Sequence, residues 1–425
     1  MSAPRSDLAS FTIKAYCLAK SNLAFILLLL TLVLMVSKSL YNVPVSIMAI
    51  IGLTRMIRSP RLVFADPLIR VYSVLFLCLW LPLLISLPDA VNVGHSARTV
   101  IPYLRFLFMG IYVLLEKDNI LVYSRLTAAV FCVAVFWGVD ATIQYIFGTN
   151  LFGYPYQPGH ITGMFYPDNT IAHVLAALSP LYFESVRIYS KKYRWVWLAI
   201  LPLLVVILLS GRRAAWIMLA ISVAGYLFYL FRHTGIGHSA RRNLLLIILA
   251  GLATTLVVIL TSTPLQDRMA VTAGLFSLDY ELTDLATARR LPIWETAVEI
   301  FRHNWINGVG PRGFRYVYQQ YSSDNNFWHE TGTTHPHQLL LEVLVETGVI
   351  GFVGLALFAW IFCSFFMVKA RASSTVFPWI LSIFLVMFPF STNMAFYGSY
   401  WASVIWWFLV VAFVSMKTPA DKQAS

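Results

Sequence analysis

Apolar runs of about 17–25 residues recur along almost the whole chain, and a helix of that length crosses a hydrocarbon core of about 30 Å. The pattern predicts helices over 18–37, 40–56, 68–87, 102–116, 124–147, 169–186, 194–210, 214–231, 243–262, 337–368, 376–391 and 398–416. The first run, Asn22 to Ser37, follows a lysine and has no small-residue cleavage site, so it reads as a retained helix rather than a removed signal peptide. One stretch departs from the pattern. Residues 263–336 are of ordinary polar composition, with Asp267, Asp279, Glu281, Asp284, Glu295, Asp324 and Glu330. Within it Leu291, Trp294, Val298 and Phe301 fall at helical spacing over Ala286–Phe301, with an interruption expected at Pro292. The expected architecture is an all-α membrane protein of about twelve transmembrane helices. Nine spans fall in residues 1–262, one large extracytoplasmic loop with its own helices and the candidate binding and catalytic residues in 263–336, and three spans with the C-terminus in 337–425. No internal repeat appears, so nothing suggests the inverted-repeat plan of many transporters.

Composition agrees with this reading. Hydrophobic residues make up 59% of the chain and charged residues 12%, against about 25% charged in a soluble domain. The net charge of +12 raises the question of nucleic acid. The basic residues, however, lie scattered between apolar runs and form no stripe or basic helix, which argues against that partner. Cys17, Cys78, Cys132 and Cys363 sit in or beside apolar runs without metal-ligand spacing. Arginine and lysine set the orientation. Arg5, Lys14, Lys20, Arg55, Arg58, Arg61, Lys117, Arg125, Arg187, Lys191, Lys192, Arg194, Arg232, Arg241, Arg242, Lys369, Arg371, Lys417 and Lys422 all fall on one side, taken as cytoplasmic, with both termini.

The short outer loops keep few arginines, and those need a reason. Arg212 and Arg213 occupy the turn Ser210-Gly211-Arg212-Arg213. They either snorkel to phosphate headgroups or clamp an anionic ligand, since guanidinium forks match phosphate oxygens. Arg98 and Arg105 add outer or boundary charge, and Arg289 and Arg290 open the loop helix that carries Trp294. Several arginines on one face suggest a lipid-linked phosphate or pyrophosphate. The tenth run opens with Thr334-His335-Pro336-His337-Gln338. Pro336 suits a first helical turn, which would place His337 at a helix N-terminus, where the dipole disfavours imidazolium and leaves a neutral ring able to act as a general base. A polar helix cap is the plainer reading. His335 and His337 lack a Cys or carboxylate cluster to complete a metal site. Glu342 and Glu346 share a helix face and read as structural, and Gly348, Gly351 and Gly354 as helix-packing contacts. Aromatic residues of the outer segments, including Phe152, Tyr154, Tyr156, Phe314, Tyr316, Tyr318, Tyr321, Phe327 and Trp328, hint at a sugar-binding surface.

Three groups of residues carry a resemblance. These are Arg213-Ala214-Ala215-Trp216; Arg290 with Trp294 and the turn Gly308-Val309-Gly310-Pro311-Arg312-Gly313-Phe314; and His337 through Gly351. Together they resemble the O-antigen ligase-like superfamily of polytopic glycosyltransferases. The resemblance implies a metal-independent, inverting enzyme of the bacterial inner membrane, without cofactor. It would move a glycan from undecaprenyl pyrophosphate to a terminal sugar of lipid A–core at the periplasmic face. It implies His337 as the base and Arg213, Arg290, Arg212 and Arg289 as pyrophosphate ligands, with His335, Gln338, Arg98, Arg105, Trp294 and Arg312 in support. Family members commonly carry Asn after the histidine, where this chain has Gln338. The alternatives are an O-antigen polymerase, a protein O-oligosaccharyltransferase with the same donor, or a transporter of an anionic lipid-linked solute. Transport predicts polar groups inside several spans, for which Asp140 and Gln144 are the candidates.

Overall fold

A computed structural model describes residues 22–117, 123–233, 251, 256–257, 259–372, 376–389 and 394–416. All of its regular elements are helices. In chain order they are α1 (Asn22–Leu34), α2 (Asn42–Arg58), α3 (Pro60–Ala65), α4 (Pro67–Ile85), α5 (Val93–Leu115), α6 (Tyr123–Phe147), α7 (Ile171–Tyr189), α8 (Ile200–Leu209) and α9 (Arg213–His233). Then come α10 (Thr263–Ala273), α11 (Tyr280–Ala286), α12 (Leu291–His303), α13 (Phe314–Tyr321), α14 (Leu339–Ala372), α15 (Phe377–Val386) and α16 (Ser399–Ser415). Five of them, α4, α5, α6, α9 and α14, are long and apolar enough to cross a membrane. Shorter apolar helices of 10–17 residues include α1, α15 and α16. The chain is therefore a multi-pass membrane protein. Much of the expected ninth span, 243–262, lies outside the described residues, as do the terminal basic residues and Arg241 and Arg242.

Two helices form the centre. α7 is buried at every position from Ile171 to Tyr182 and packs against α6, α8, α9 and α15. α16 is buried from Tyr400 to Ser415 and packs against α5 and α15. A helix apolar on all sides has no face for water, so it ends up enclosed by its neighbours. The indoles of α16 still need acceptors there. Trp401 Nε1 donates to Val386 O at 2.9 Å, Trp406 to Tyr103 Oη at 3.0 Å, and Trp407 to Leu28 O at 2.9 Å.

Polar contacts sort the connections into two ends of the bundle. At one end Arg55 meets Glu116 at 2.5 Å, Lys117 pairs with Asp66, and Glu184 accepts from Arg187 and from Tyr226 Oη at 2.7 Å. At the other end Lys38 pairs with Asp168 at 2.5 Å, Asn307 with Asp89 at 2.5 Å, and Arg268 donates to Gly211 O at 3.0 Å. Each of these contacts joins segments that the charge pattern assigns to one side.

Several expectations are corrected. α5 begins at Val93, not near residue 102, so Arg98 as well as Arg105 belongs to the helix. The stretch 286–301 is not one helix broken at Pro292. Asp284 Oδ1 accepts from Leu291 N at 3.1 Å, and Pro292 stands in the first turn of α12, where a missing N–H costs nothing. Phe314 and Tyr318 do not line a surface; they pack with Ile293, Ala297, Ile300 and Val345 in a small core of the loop.

Candidate active site

The large loop is fastened to the bundle by a break in α14. Gly348 has φ 63° and ψ −160° inside the helix. The break frees backbone groups, and the loop takes them: Val309 N donates to Val345 O at 2.8 Å, and Val349 N donates to Trp305 O at 2.8 Å. A Cβ on Gly348 would stand 2.0 Å from Ile306 O, and one on Gly308 2.5 Å from Val345 O. The role of Gly348 is thus to admit the loop backbone rather than another helix. Gly354 does serve helix packing, against Cys78 O of α4. Non-helical backbone inside a span is tolerated where protein covers it.

Glu346, two residues before the break, accepts from Arg312 N at 2.6 Å. One turn earlier Glu342 accepts from Phe396 N at 3.0 Å and Tyr397 N at 3.2 Å. The two buried acids therefore tie irregular segments to the start of α14. Arg312 is held at φ 60°, and among the described residues the other non-glycine positions with positive φ are Ala288, Arg289 and His337. Such conformations cost about 1–3 kcal/mol each and persist only where the surroundings impose them.

His337 does not lie in the first turn of α14. The helix starts at Leu339, His337 precedes it at φ 56°, and Gln338 is the cap. The Gln338 amide oxygen accepts from Leu341 N at 2.5 Å, and its carbonyl accepts from Glu342 N at 2.9 Å. Gln338 thus works as a helix cap. The His337 ring lies 3.9 Å, centroid to centroid, from that of His335. His335 is 7% exposed, its Nδ1 meets Thr334 Oγ1 at 2.9 Å, and its Nε2 is buried with no partner among the described residues. Burial, then His337, Arg312, Arg315 and Arg290, hold the His335 ring well below the usual histidine range. Neutrality, expected at His337 from a helix dipole, is thus supplied at His335 by burial. Trp294 supports this segment, its Nε1 donating to Pro336 O at 3.1 Å.

The arginines divide into two kinds. Arg289 meets Glu281 at 3.2 Å and Asp284 at 3.4 Å, and Arg302 meets Glu299 at 3.2 Å. Arg105 donates to Ser399 Oγ at 2.6 Å and lies over the Phe106 ring. Arg290, by contrast, has no carboxylate within ion-pair distance among the described residues. Burial and then the nearby cations Arg212 and Arg213 push its guanidinium down to about 10. Arg212 is lowered by burial and then by Arg268. Arg212 and Arg213 come from the α8–α9 turn and Arg290 from the cap of α12, so cations remote in sequence meet here. A cation depressed by other cations marks a place suited to an anion.

The turn itself is built for this. Gly211 has φ 64°, and a Cβ there would lie 2.7 Å from the Arg268 guanidinium. Trp216 Nε1 donates to Ile207 O at 3.0 Å and Leu208 O at 3.2 Å, closing the end of α8. Arg268, His160, Asn169 and His173 also border the turn and were not anticipated. Asn169 lies 3.1 Å from His160 Nδ1, and its amide oxygen, turned toward Arg212, would accept from Nε at 3.3 Å. His173, buried in α7, has no partner for either ring nitrogen among the described residues and lies within electrostatic reach of Arg212 and Arg290. The sequence did carry that signal: an ionisable residue inside an apolar span is a functional candidate by default.

Asp140 and Gln144 do not line a transport path in this arrangement. Asp140 accepts from Asn150 Nδ2 at 3.0 Å and Leu151 N at 3.1 Å. Gln144 donates to Pro155 O at 3.1 Å and accepts from Gly163 N at 2.8 Å. Both fasten the loop that follows α6.

Residues 198–356 match the family model described as O-antigen ligase. The matched segment runs from α8 past the Gly348 break and contains Arg212, Arg213, Arg290 and His337. Over this segment the chain is similar to the O-antigen ligase family. No curated protein matches it significantly. The similarity points to a glycosyltransferase class of the O-antigen ligase or polymerase type.

Proposed function

We propose that the chain is an O-antigen ligase. It transfers a glycan from undecaprenyl pyrophosphate to a terminal sugar of lipid A–core at the periplasmic face of the inner membrane, with both termini in the cytoplasm. The observation that carries the reading is the meeting of Arg212, Arg213 and Arg290 beside the His335–His337 pair. Pyrophosphate is a good leaving group once its charge is met, so cations can take the place of a general acid. The arginines hold the pyrophosphate, and His337 takes the proton of the acceptor hydroxyl. That oxygen bonds to the anomeric carbon as the carbon–oxygen bond to pyrophosphate breaks on the opposite side, which inverts the centre. His335, buried and neutral, supports the His337 ring. Arg289, occupied by Glu281 and Asp284, shapes the loop and does not hold the phosphate.

The test is transfer by purified protein from undecaprenyl-pyrophosphate-linked glycan to lipid A–core in EDTA, read as a ladder on a gel. Wild type should form the ladder and a folded His337→Ala should not. Lengthening of the donor glycan with lipid A–core untouched would favour a polymerase instead.

A further inference from the structure

A second group of cations stands near the histidine pair and is separate from the first. Arg312 lies in the turn after Gly310, Arg315 in the first turn of α13, and His95 and Arg98 in the first two turns of α5. His95 is within electrostatic reach of Arg315, Arg312 and Arg98, and its ring meets Tyr316 edge-on at 5.5 Å. Arg315 is lowered by burial and then by Arg312, which outweigh the opposite pull of the buried Glu346 and Glu342. The main charges acting on His95 are Arg315, Arg312 and Arg98, and those acting on Arg315 are Arg312, Glu346 and Glu342, whereas His335 feels Arg312, Arg315 and Arg290 together. The histidine pair is therefore the point that both groups reach.

The second group is built rather than incidental. Ser96 Oγ donates to Pro311 O at 2.9 Å, Val309 O accepts from Val91 N at 3.1 Å, and a Cβ on Gly310 would fall 2.3 Å from that of Ala90. These contacts press the turn onto the start of α5. Glu346 grips the Arg312 backbone, not its guanidinium. Arg312 Nη1 and Arg315 Nε are buried without a hydrogen-bond partner among the described residues. Buried guanidinium donors without acceptors are costly, and here a strained backbone at Arg312 holds them in place.

We infer that Arg312 and Arg315, with His95 beside them, form a second anion site that takes an acidic group of the acceptor, a phosphate or a carboxylate, and so brings its hydroxyl to the histidine pair. This rests on the ligase reading. It gives the two substrates separate anchors: the donor pyrophosphate at Arg212, Arg213 and Arg290, the acceptor at Arg312 and Arg315. Both arginines are positioning residues, since their ligand is remote from the bond that changes.

The test is equilibrium binding of lipid A–core to the full-length protein in detergent without donor, followed by steady-state transfer. Wild type, Arg312→Gln and Arg315→Gln are compared, with Arg312→Lys to guard against a fold defect at the strained position. Each Gln variant should weaken acceptor binding and raise the acceptor KM by roughly tenfold, leave the donor KM unchanged, and be partly rescued by Lys. Acceptor stripped of phosphate and acceptor with reduced carboxyls identify the group. The form that lacks it binds wild type as weakly as the variants, and the variants no longer differ from wild type on it. Variants that bind intact acceptor like wild type, or that raise the donor KM instead, overturn the inference and leave the ligase reading standing. A wild type that neither binds nor glycosylates lipid A–core overturns both.

Discussion

Cations near the candidate site and cations at the opposite end of the bundle meet different neighbours. At one end Arg55, Lys117 and Arg187 each meet a carboxylate within ion-pair distance. At the other, Arg290, Arg312 and Arg315 have none within that distance among the described residues: Arg290 faces Arg212 and Arg213, and Arg315 faces Arg312, with the buried Glu346 and Glu342 beyond ion-pair distance. Ordinary membrane orientation explains the first end, where cations are expected. It does not explain the second, where cations are unfavourable and the backbone is strained at Arg289, Arg312 and His337. Charge left uncompensated in a fixed frame marks the place where a ligand completes the structure. The large loop repeats the contrast on a smaller scale, with Arg289 paired and Arg290, the next residue, unpaired.

Breaking the uncompensated end should have the largest effects. His337→Ala should lower kcat by about 10³-fold, within the range for a lost general base, with donor binding retained in a direct assay. Arg213→Gln and Arg290→Gln should each cost about 10²-fold in kcat/KM, the scale of one lost charge-stabilising group. Arg289→Gln, one residue away from Arg290, should stay within about threefold, since its pairs are partly exposed and such pairs contribute little. Gly348→Ala should destabilise by about 3 kcal/mol or more, because φ 63° and the approach of Ile306 O both oppose a Cβ; thermal unfolding in detergent would detect it. Arg55→Gln at the compensated end should cost about 1 kcal/mol of stability and leave transfer unchanged.

The smallest effect is a pH dependence. His335 is held neutral in the fold, so between its lowered folded value and the ordinary value of 6.5 the unfolded chain binds the extra proton. Stability should therefore fall as pH drops below about 6.5 and be fully present above it. His335→Gln should flatten that slope, read as melting temperature against pH.

Much of the architecture was legible because length and apolarity alone specify a membrane helix. α9, α14 and α16 begin within two residues of their expected positions. The start of α5 is not legible because His95 and Arg98 interrupt the apolar pattern of its first two turns. Within the site, Arg290 with Trp294 and the His335–His337 segment were readable as local motifs. Arg268, His160, Asn169 and Arg315 were not, since only the folded chain brings them near Arg212 or Arg312. The break at Gly348 was also hidden. A glycine in an apolar run reads equally as a packing contact or a backbone kink, and the loop that needs the kink lies about 40 residues earlier in sequence, too far for local pattern to link them.

The central claim is that uncompensated arginines, and not arginines in general, hold the donor. The most direct test is equilibrium binding of undecaprenyl-pyrophosphate-linked glycan, with no acceptor present, to wild type, Arg213→Gln, Arg290→Gln and Arg289→Gln. The account predicts at least tenfold weaker binding for Arg213→Gln and Arg290→Gln and wild-type binding for Arg289→Gln. Equal losses in all three variants, or no loss in Arg290→Gln, would contradict it.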